Sequence, residues 1–297
     1  MSASVTISIG TNTAIAAAKG FGWFVTGSPT LFAETIHSLA DVANQVLLRT
    51  GEVRGKAPAD REHPFGYGQE KYFWALVSAV SVFFIGCGVN VYHGAHALIQ
   101  HAPVEPFTAL VLGLLLFAFA LESFTLVVAL REIGGWKGLL ANRHNTTVLA
   151  VVLEDAVALL GIVLTLVVAG VSVAWGPHPA FDAAVAIAVG ALLGAMALFL
   201  ASINRRLLID ISDVDLDRAA RGFLAGQGVS AEVSSVVVDD DHAVVFLRAL
   251  PGSARPIDTS DSYALGEALK AQLLVGAGKT IDEVYWKFPL ASSPAPR

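Results

Sequence analysis

The sequence predicts an all-α membrane domain of six transmembrane helices followed by a small α+β domain in water, and three observations carry that prediction. Of the 297 residues, 55% are hydrophobic and 15% charged, with a mean hydropathy of +0.63, whereas a soluble domain carries about 25% charged residues. Six apolar runs of about 20 residues, the length that crosses a bilayer, lie at roughly 5–27, 30–49, 72–99, 107–130, 147–174 and 181–204. From about Leu207 such runs stop: residues 206–297 hold 13 acidic and 9 basic side chains and nothing long enough to cross. The expected domains are therefore 1–206 in the membrane, 207–290 in water and 291–297 as a disordered tail.

The connections orient the crossings, because Lys and Arg concentrate in cytoplasmic loops. Arg54, Lys56 and Arg61, flanked by Arg49 and Lys71, follow the second run; Arg131, Lys137 and Arg143 follow the fourth; Arg205 and Arg206 follow the sixth. The alternate connections "GSPT", "QHAPVEP" and "GPHPAFD" contain neither residue. Both termini are thus expected in the cytoplasm, in a bacterial-type inner or plasma membrane. The start "MSASVTISIG" has no basic region and no small-residue cleavage site, so no removed signal peptide is expected. The single cysteine, Cys87, has no intrachain partner, and the net charge of −6 argues against a nucleic-acid partner.

Beyond Leu207 the periodicity reads helix ("DLDRAARGFLAGQG"), strand ("SSVVVDD"), strand ("AVVFLRAL"), helix ("DSYALGEALKAQLLVGAG") and strand ("IDEVYWKF"), an αββαβ order. "DDDH" is the expected turn of a hairpin, and two amphipathic helices would cover one face of a three-stranded sheet.

Several side chains do not suit lipid. His37 and Asp41 lie in "AETIHSLADVANQ", and a charge at mid-bilayer costs on the order of 2.5–3.5 kcal/mol on the mildest insertion scale. Positions four apart share a helix face, so both can point at one spot. An imidazole nitrogen and a carboxylate oxygen are ordinary ligands of divalent first-row metals, and a tetrahedral site needs about two more; the plainer alternative is hydrogen bonding to neighbouring helices. The fifth run, "NTTVLAVVLEDAVALLG", supplies Asp155 as first candidate and Glu154 as second, with a proton carrier or a distant ion pair as the other reading of these acids. Adjacent helical residues diverge by about 100°, so both reach one ion only by flanking it or if the helix unwinds. Laying "HSLADVA" over "VVLEDAV" sets Asp41 opposite Asp155 and His37 opposite Val151, a missing ligand for which Glu154 would compensate. Asn44, three residues after Asp41, could approach the ion or, like Asn12 and Asn90, bond between helices. Lys19 and Glu122 are expected to pair with each other, and His93, His96 and His101 to lie near an interface.

These features, with "TGSPTLFAETIHSLADVANQ" (26–45) and "ADREHPFGYGQEKYFWAL" (59–76), resemble the cation diffusion facilitator family of divalent metal transporters from Gly10 to about Pro289. The adjacent acids of "VVLEDA" are similar to the branch that includes the ninth human zinc transporter. The resemblance implies a homodimer of six-helix protomers, each with a metallochaperone-like αββαβ domain in the cytosol, that exports Zn²⁺ or a related ion against inward proton flow. It implies metal ligation by His37, Asp41 and Asp155, while Val151 departs from the family's fourth ligand. Some members bind a second ion in the loop after the second helix; Asp60 and His63 match that pattern but Tyr67 stands where a second His would be, so "HPFGYG" reads as a turn-forming loop. One histidine, His242, in the soluble domain points to dimerisation there with little or no metal.

The expected function is proton-coupled efflux of a divalent cation by alternating access, since metal and proton compete for the same lone pairs. Zn²⁺ leads by family frequency; an oxygen-rich set would also take Mn²⁺, Fe²⁺ or Co²⁺. A non-transporting membrane metal sensor and an organic-cation transporter are the rival readings. No phosphate-binding loop, nucleophile elbow or HExxH motif supports an enzyme or an organic cofactor.

Overall fold

The computed structural model of the chain describes residues 3–26, 29–100, 108–135, 137–138, 146–176, 179–239, 242–250, 259–277 and 279–288. It divides into two compact units: Met1–Ala57 with Glu70–Arg205, and Pro58–Gln69 with Arg206–Arg297.

Among its described residues the first unit contains helices and no strand. Its elements are α1 (Ala3–Thr26), α2 (Pro29–Arg54), α3 (Glu70–Ser81), a π-helical stretch Val82–Cys87, α4 (Gly88–Gln100), α5 (Ala109–Glu132), α6 (Thr146–Trp175) and α7 (Pro179–Leu208). Among the described residues, four continuous helical segments are long and apolar enough to cross a membrane: Glu70–Gln100, Ala109–Glu132, Thr147–Val171 and Ala183–Leu208. α1 and α2 are of similar length, but polar residues dilute their hydropathy. α2 shows why: Ser38, Asn44, Gln45 and Glu52 are buried while Leu39, Val46 and Val53 are exposed. Apolar outside and polar inside is the pattern expected when the surroundings are lipid.

Val5, Leu48, Ala75, Ala79, Ala129, Ile133, Val148, Val151, Val152, Leu193 and Leu200 form the apolar centre of this unit. Small residues let backbones approach closely. A Cβ on Gly51 would stand 2.9 Å from Trp74 Cβ and 3.2 Å from Lys71 Cα, and one on Gly94 would stand 2.8 Å from the Ala183 carbonyl. Ser4 N–H donates to Glu132 Oε2 (2.8 Å), tying the start of α1 to the end of α5. In the third helical passage the π turn frees a carbonyl that Asn90 Nδ2 takes up, donating to Gly86 O at 2.6 Å. Asn12 likewise bonds within its own helix, to Ser8; of the three asparagines expected between helices, Asn44 is the one that bridges them.

The second unit contains α8 (Val214–Gly226), β1 (Ala231–Val237), β2 (His242–Ala249), α9 (Thr259–Ala277) and β3 (Thr280–Lys287) in the sheet order β1-β2-β3, antiparallel then parallel. β1 begins at Ala231, earlier than the sequence pattern suggests, because its flanking residues Glu232 and Ser234 face away from the core and break the apolar run. Asp213 caps α8 by accepting from the N–H groups of Asp215 and Leu216, both at 3.1 Å. Gly228, at φ +73°, ends it in the left-handed conformation that glycine adopts without strain. Leu216, Leu224, Val233, Val245, Leu247, Leu269 and Leu273 make the core between helices and sheet. The turn residues Asp240 and Asp241 and the tail 291–297 lie outside the described residues.

Candidate metal centre

α2 and α6 meet at a polar cluster. Glu154 of α6 accepts from Asn44 Nδ2 at both carboxylate oxygens, 3.0 and 3.1 Å, and from Gln45 Nε2 at Oε2, 2.5 Å. Asn44 Oδ1 in turn accepts from Ser78 Oγ of α3 at 2.6 Å. Asn44, Gln45, Ser78 and Glu154 are all buried, so each bond forms in a low dielectric where an unmade one is costly.

Asp41 and Glu154 open into one small cavity of about 30 Å³, whose other walls are Ala40, Asn44, Ser81, Val82, Ile85, Gly86 and Leu193. The π stretch therefore forms part of the wall, and such stretches recur at functional sites because they displace a helix face by part of a turn. Asp155, 1% exposed, turns away from that cavity towards α5, within hydrogen-bonding reach of Glu122 and Thr125, and its Oδ2 has no hydrogen-bond partner. Glu122 and Lys19 are both buried. Glu122 thus stands beside a candidate ligand, a neighbour the sequence does not reveal because packing decides which faces of α5 and α6 meet.

Of the sequence-predicted ligands, Asp41 and Glu154 share the cavity, Asn44 reaches Glu154, and Asp155 lies against Glu122 and Thr125 instead. His37 lies on α2, and its side chain is outside the described residues. Among the described residues no three His, Cys, Asp or Glu side chains converge closely enough to hold an ion. Gln45 and Ser78 are the members that sequence reasoning missed. Gln45 sits four residues after Asp41, on the face that already carries His37, which is the signal that could have found it.

The loop candidates are otherwise engaged. Asp60 Oδ1 accepts from the N–H groups of Glu62 (2.9 Å) and His63 (2.7 Å), and its Oδ2 accepts from Tyr67 Oη at 2.8 Å. The His63 N–H and the Tyr67 hydroxyl hold this exposed carboxyl below its ordinary pKa. His63 Nδ1 lies 3.7 Å from Asp60, and its ring packs 4.1 Å from that of Tyr67. Asp60 is thus the keystone of a turn. In the second unit His242 Nδ1 pairs with Asp282 Oδ1 at 2.7 Å, while His93 and His96 of α4 are exposed and His101 lies outside the described residues.

Comparison with known proteins fits this arrangement. Residues 5–209 match the family profile of the cation efflux transmembrane domain. The chain is 31% identical over 243 residues to Metal tolerance protein C4 of Arabidopsis thaliana, covering 76% of this chain and 51% of that one. It is 32% identical over 202 residues to the human mitochondrial proton-coupled zinc antiporter SLC30A9, covering 64% and 35%. Over 97 residues it is 30% identical to Magnetosome protein MamM of Paramagnetospirillum magneticum, covering 32% and 30%. The chain spans about half the length of the first relative and about a third of the second. With most of its length matched by that one profile, this integral membrane protein belongs to the cation efflux, or cation diffusion facilitator, family of metal transporters.

Proposed function

We propose that the protein exports a divalent cation, Zn²⁺ first among the candidates, from the cytoplasm in exchange for protons. The ion is held between α2 and α6 by Asp41 and Glu154 with His37 as a further ligand, and Asp155 takes the place of Glu154 in the other access state. The observation that carries this reading is the opening of two intramembrane carboxylates, Asp41 and Glu154, into one cavity. A carboxylate in lipid is retained where it serves a pathway, and similarity to a relative named as a proton-coupled zinc antiporter supports the choice of coupling and metal. Glu154 and Asp155 stand about 100° apart around α6, so a rotation of that helix exchanges them at the cavity. Such an exchange gives the two access states different ligand sets, and protons released from the ligands on binding return on expulsion.

The same reading takes α1 and α2 as crossings, giving six in all with both termini cytoplasmic. The αββαβ unit is metallochaperone-like and serves a homodimer. Since the carboxylates and amides at the cavity offer mainly oxygen, Mn²⁺, Fe²⁺ and Co²⁺ are the second reading. The test is uptake of each metal into proteoliposomes under a pH gradient. Asp41→Ala and Glu154→Ala are expected to lower the rate at least tenfold, and collapse of the gradient to slow the wild type; transport unaltered in Asp41→Ala overturns the site.

A further inference from the structure

Glu154 is held by donors that a metal site does not require. Three N–H···O bonds reach its carboxylate, two shared from Asn44 and one from Gln45. A carboxylate offers about four lone-pair positions, so most of its coordinating capacity is occupied. Gln45 is 0% exposed, yet its Oε1 has no hydrogen-bond partner. A buried carbonyl oxygen left open beside an ionisable group is uncommon in native folds and calls for a physical reason. Ser78 explains the orientation of Asn44: its hydroxyl donates to Asn44 Oδ1, which leaves only the Nδ2 hydrogens to face Glu154.

We propose that Asn44 and Gln45 form an amide latch that holds Glu154 when no ion is bound, and that Ser78 is the positioning residue that aims Asn44. The proposal rests on the reading of Glu154 as a ligand and adds what sets the strength of that ligation. An incoming dication must draw the Glu154 lone pairs off the amide N–H groups. Because Oε1 has no partner, the Gln45 amide is held at its nitrogen alone and turns aside once Glu154 is drawn to the ion. Each ligation therefore begins by breaking charge-assisted hydrogen bonds. The latch keeps the resting site from collapsing onto stray cations and makes release favourable, since Glu154 returns to waiting donors.

The test uses the purified full-length protein, with Zn²⁺ and Mn²⁺ binding by calorimetry and initial-rate transport in proteoliposomes. Gln45→Met keeps the volume and removes the donor; it is expected to bind Zn²⁺ about tenfold more tightly, the scale of one charge-assisted hydrogen bond, with KM and maximal rate both falling. Ser78→Ala should shift binding the same way, and Ser78→Thr should restore the wild-type constants, which a merely structural serine would not predict. Should Gln45→Met fail to fold, the Ser78 pair decides. Unchanged or weaker binding in the folded latch variants overturns the latch. Glu154→Gln separates the two readings: if it weakens binding while Gln45→Met does not tighten it, the latch alone falls; if it binds as the wild type does, the site falls and the latch with it.

Discussion

Glu154 and Asp155 are neighbours in the chain and face different partners, Glu154 towards the amides of α2 and Asp155 towards Glu122 and Thr125 of α5. Their divergence was legible in the sequence, because helical geometry fixes it. Which of the two faces the α2 cavity was not, since that depends on how α6 is rotated in the bundle. Gln45 stayed hidden because an uncharged amide among apolar residues carries no signal until its partner is known. Gly51 is a case of the same kind: nothing in "RTGEV" says that it touches α3. Its added Cβ would press on Trp74 Cβ and on the Lys71 backbone, atoms that cannot swing aside. Gly51→Ala is therefore expected to destabilise the α2–α3 pair by about 1–3 kcal/mol, which thermal unfolding of the detergent-solubilised protein would measure as a lowered midpoint.

At the scale of elements, the helices announce themselves by apolar length and the strands by alternation, so all the long elements were legible while several ends were not. α2 is the instructive case. The polar residues of its candidate site, among them Asp41, Asn44 and Gln45, also dilute the hydropathy by which a crossing is recognised. α8 shows a boundary that sequence does give, since Asp213 before "VDLDRAARGFLAG" is an N-cap signature. Burial of Asp213 opposes its ionisation, but the N–H groups of Leu216 and Asp215 and the Lys279 ammonium, 3.0 Å away, outweigh it and hold its pKa below the ordinary 3.8. A depressed folded-state value ties stability to the ionised form. That contribution is complete above the unfolded value and is lost as pH falls through the lower folded one. Asp213→Asn should accordingly lower the thermal midpoint of the C-terminal unit near neutral pH, with the gap to wild type closing as pH drops below about 4; a gap that widens in acid would contradict the assignment.

At the scale of the whole molecule, the segment between α2 and α3 belongs with the C-terminal unit, and this the sequence could not disclose, because Pro58–Gln69 is separated from its partners by well over a hundred residues. The contacts are specific. Phe65 meets Tyr285 edge-on at 6.4 Å, Tyr285 stacks on its cross-strand neighbour Phe246 at 5.5 Å, and Gln69 Nε2 donates to Asp210 Oδ1 at 3.2 Å. Gly68 lies so close to Asp239 that a Cβ there would stand 2.9 Å from the Asp239 Cβ. The turn inside the segment is secured separately, by Asp60 and Tyr67. The chain leaving α2 thus enters the C-terminal unit and returns from it before α3 begins. If that docking holds the segment, Phe65→Ala should speed hydrogen exchange across 58–69 several-fold without changing exchange in α2 around Asn44. Tyr67→Phe, which removes the hydroxyl bond to Asp60 but leaves Phe65 in place, should loosen residues 60–67 alone. Because the contacts seen are aromatic and amide in character, a chelator should leave both profiles unchanged. Exchange that rises on chelation would instead mean that Asp60 and His63 hold an ion.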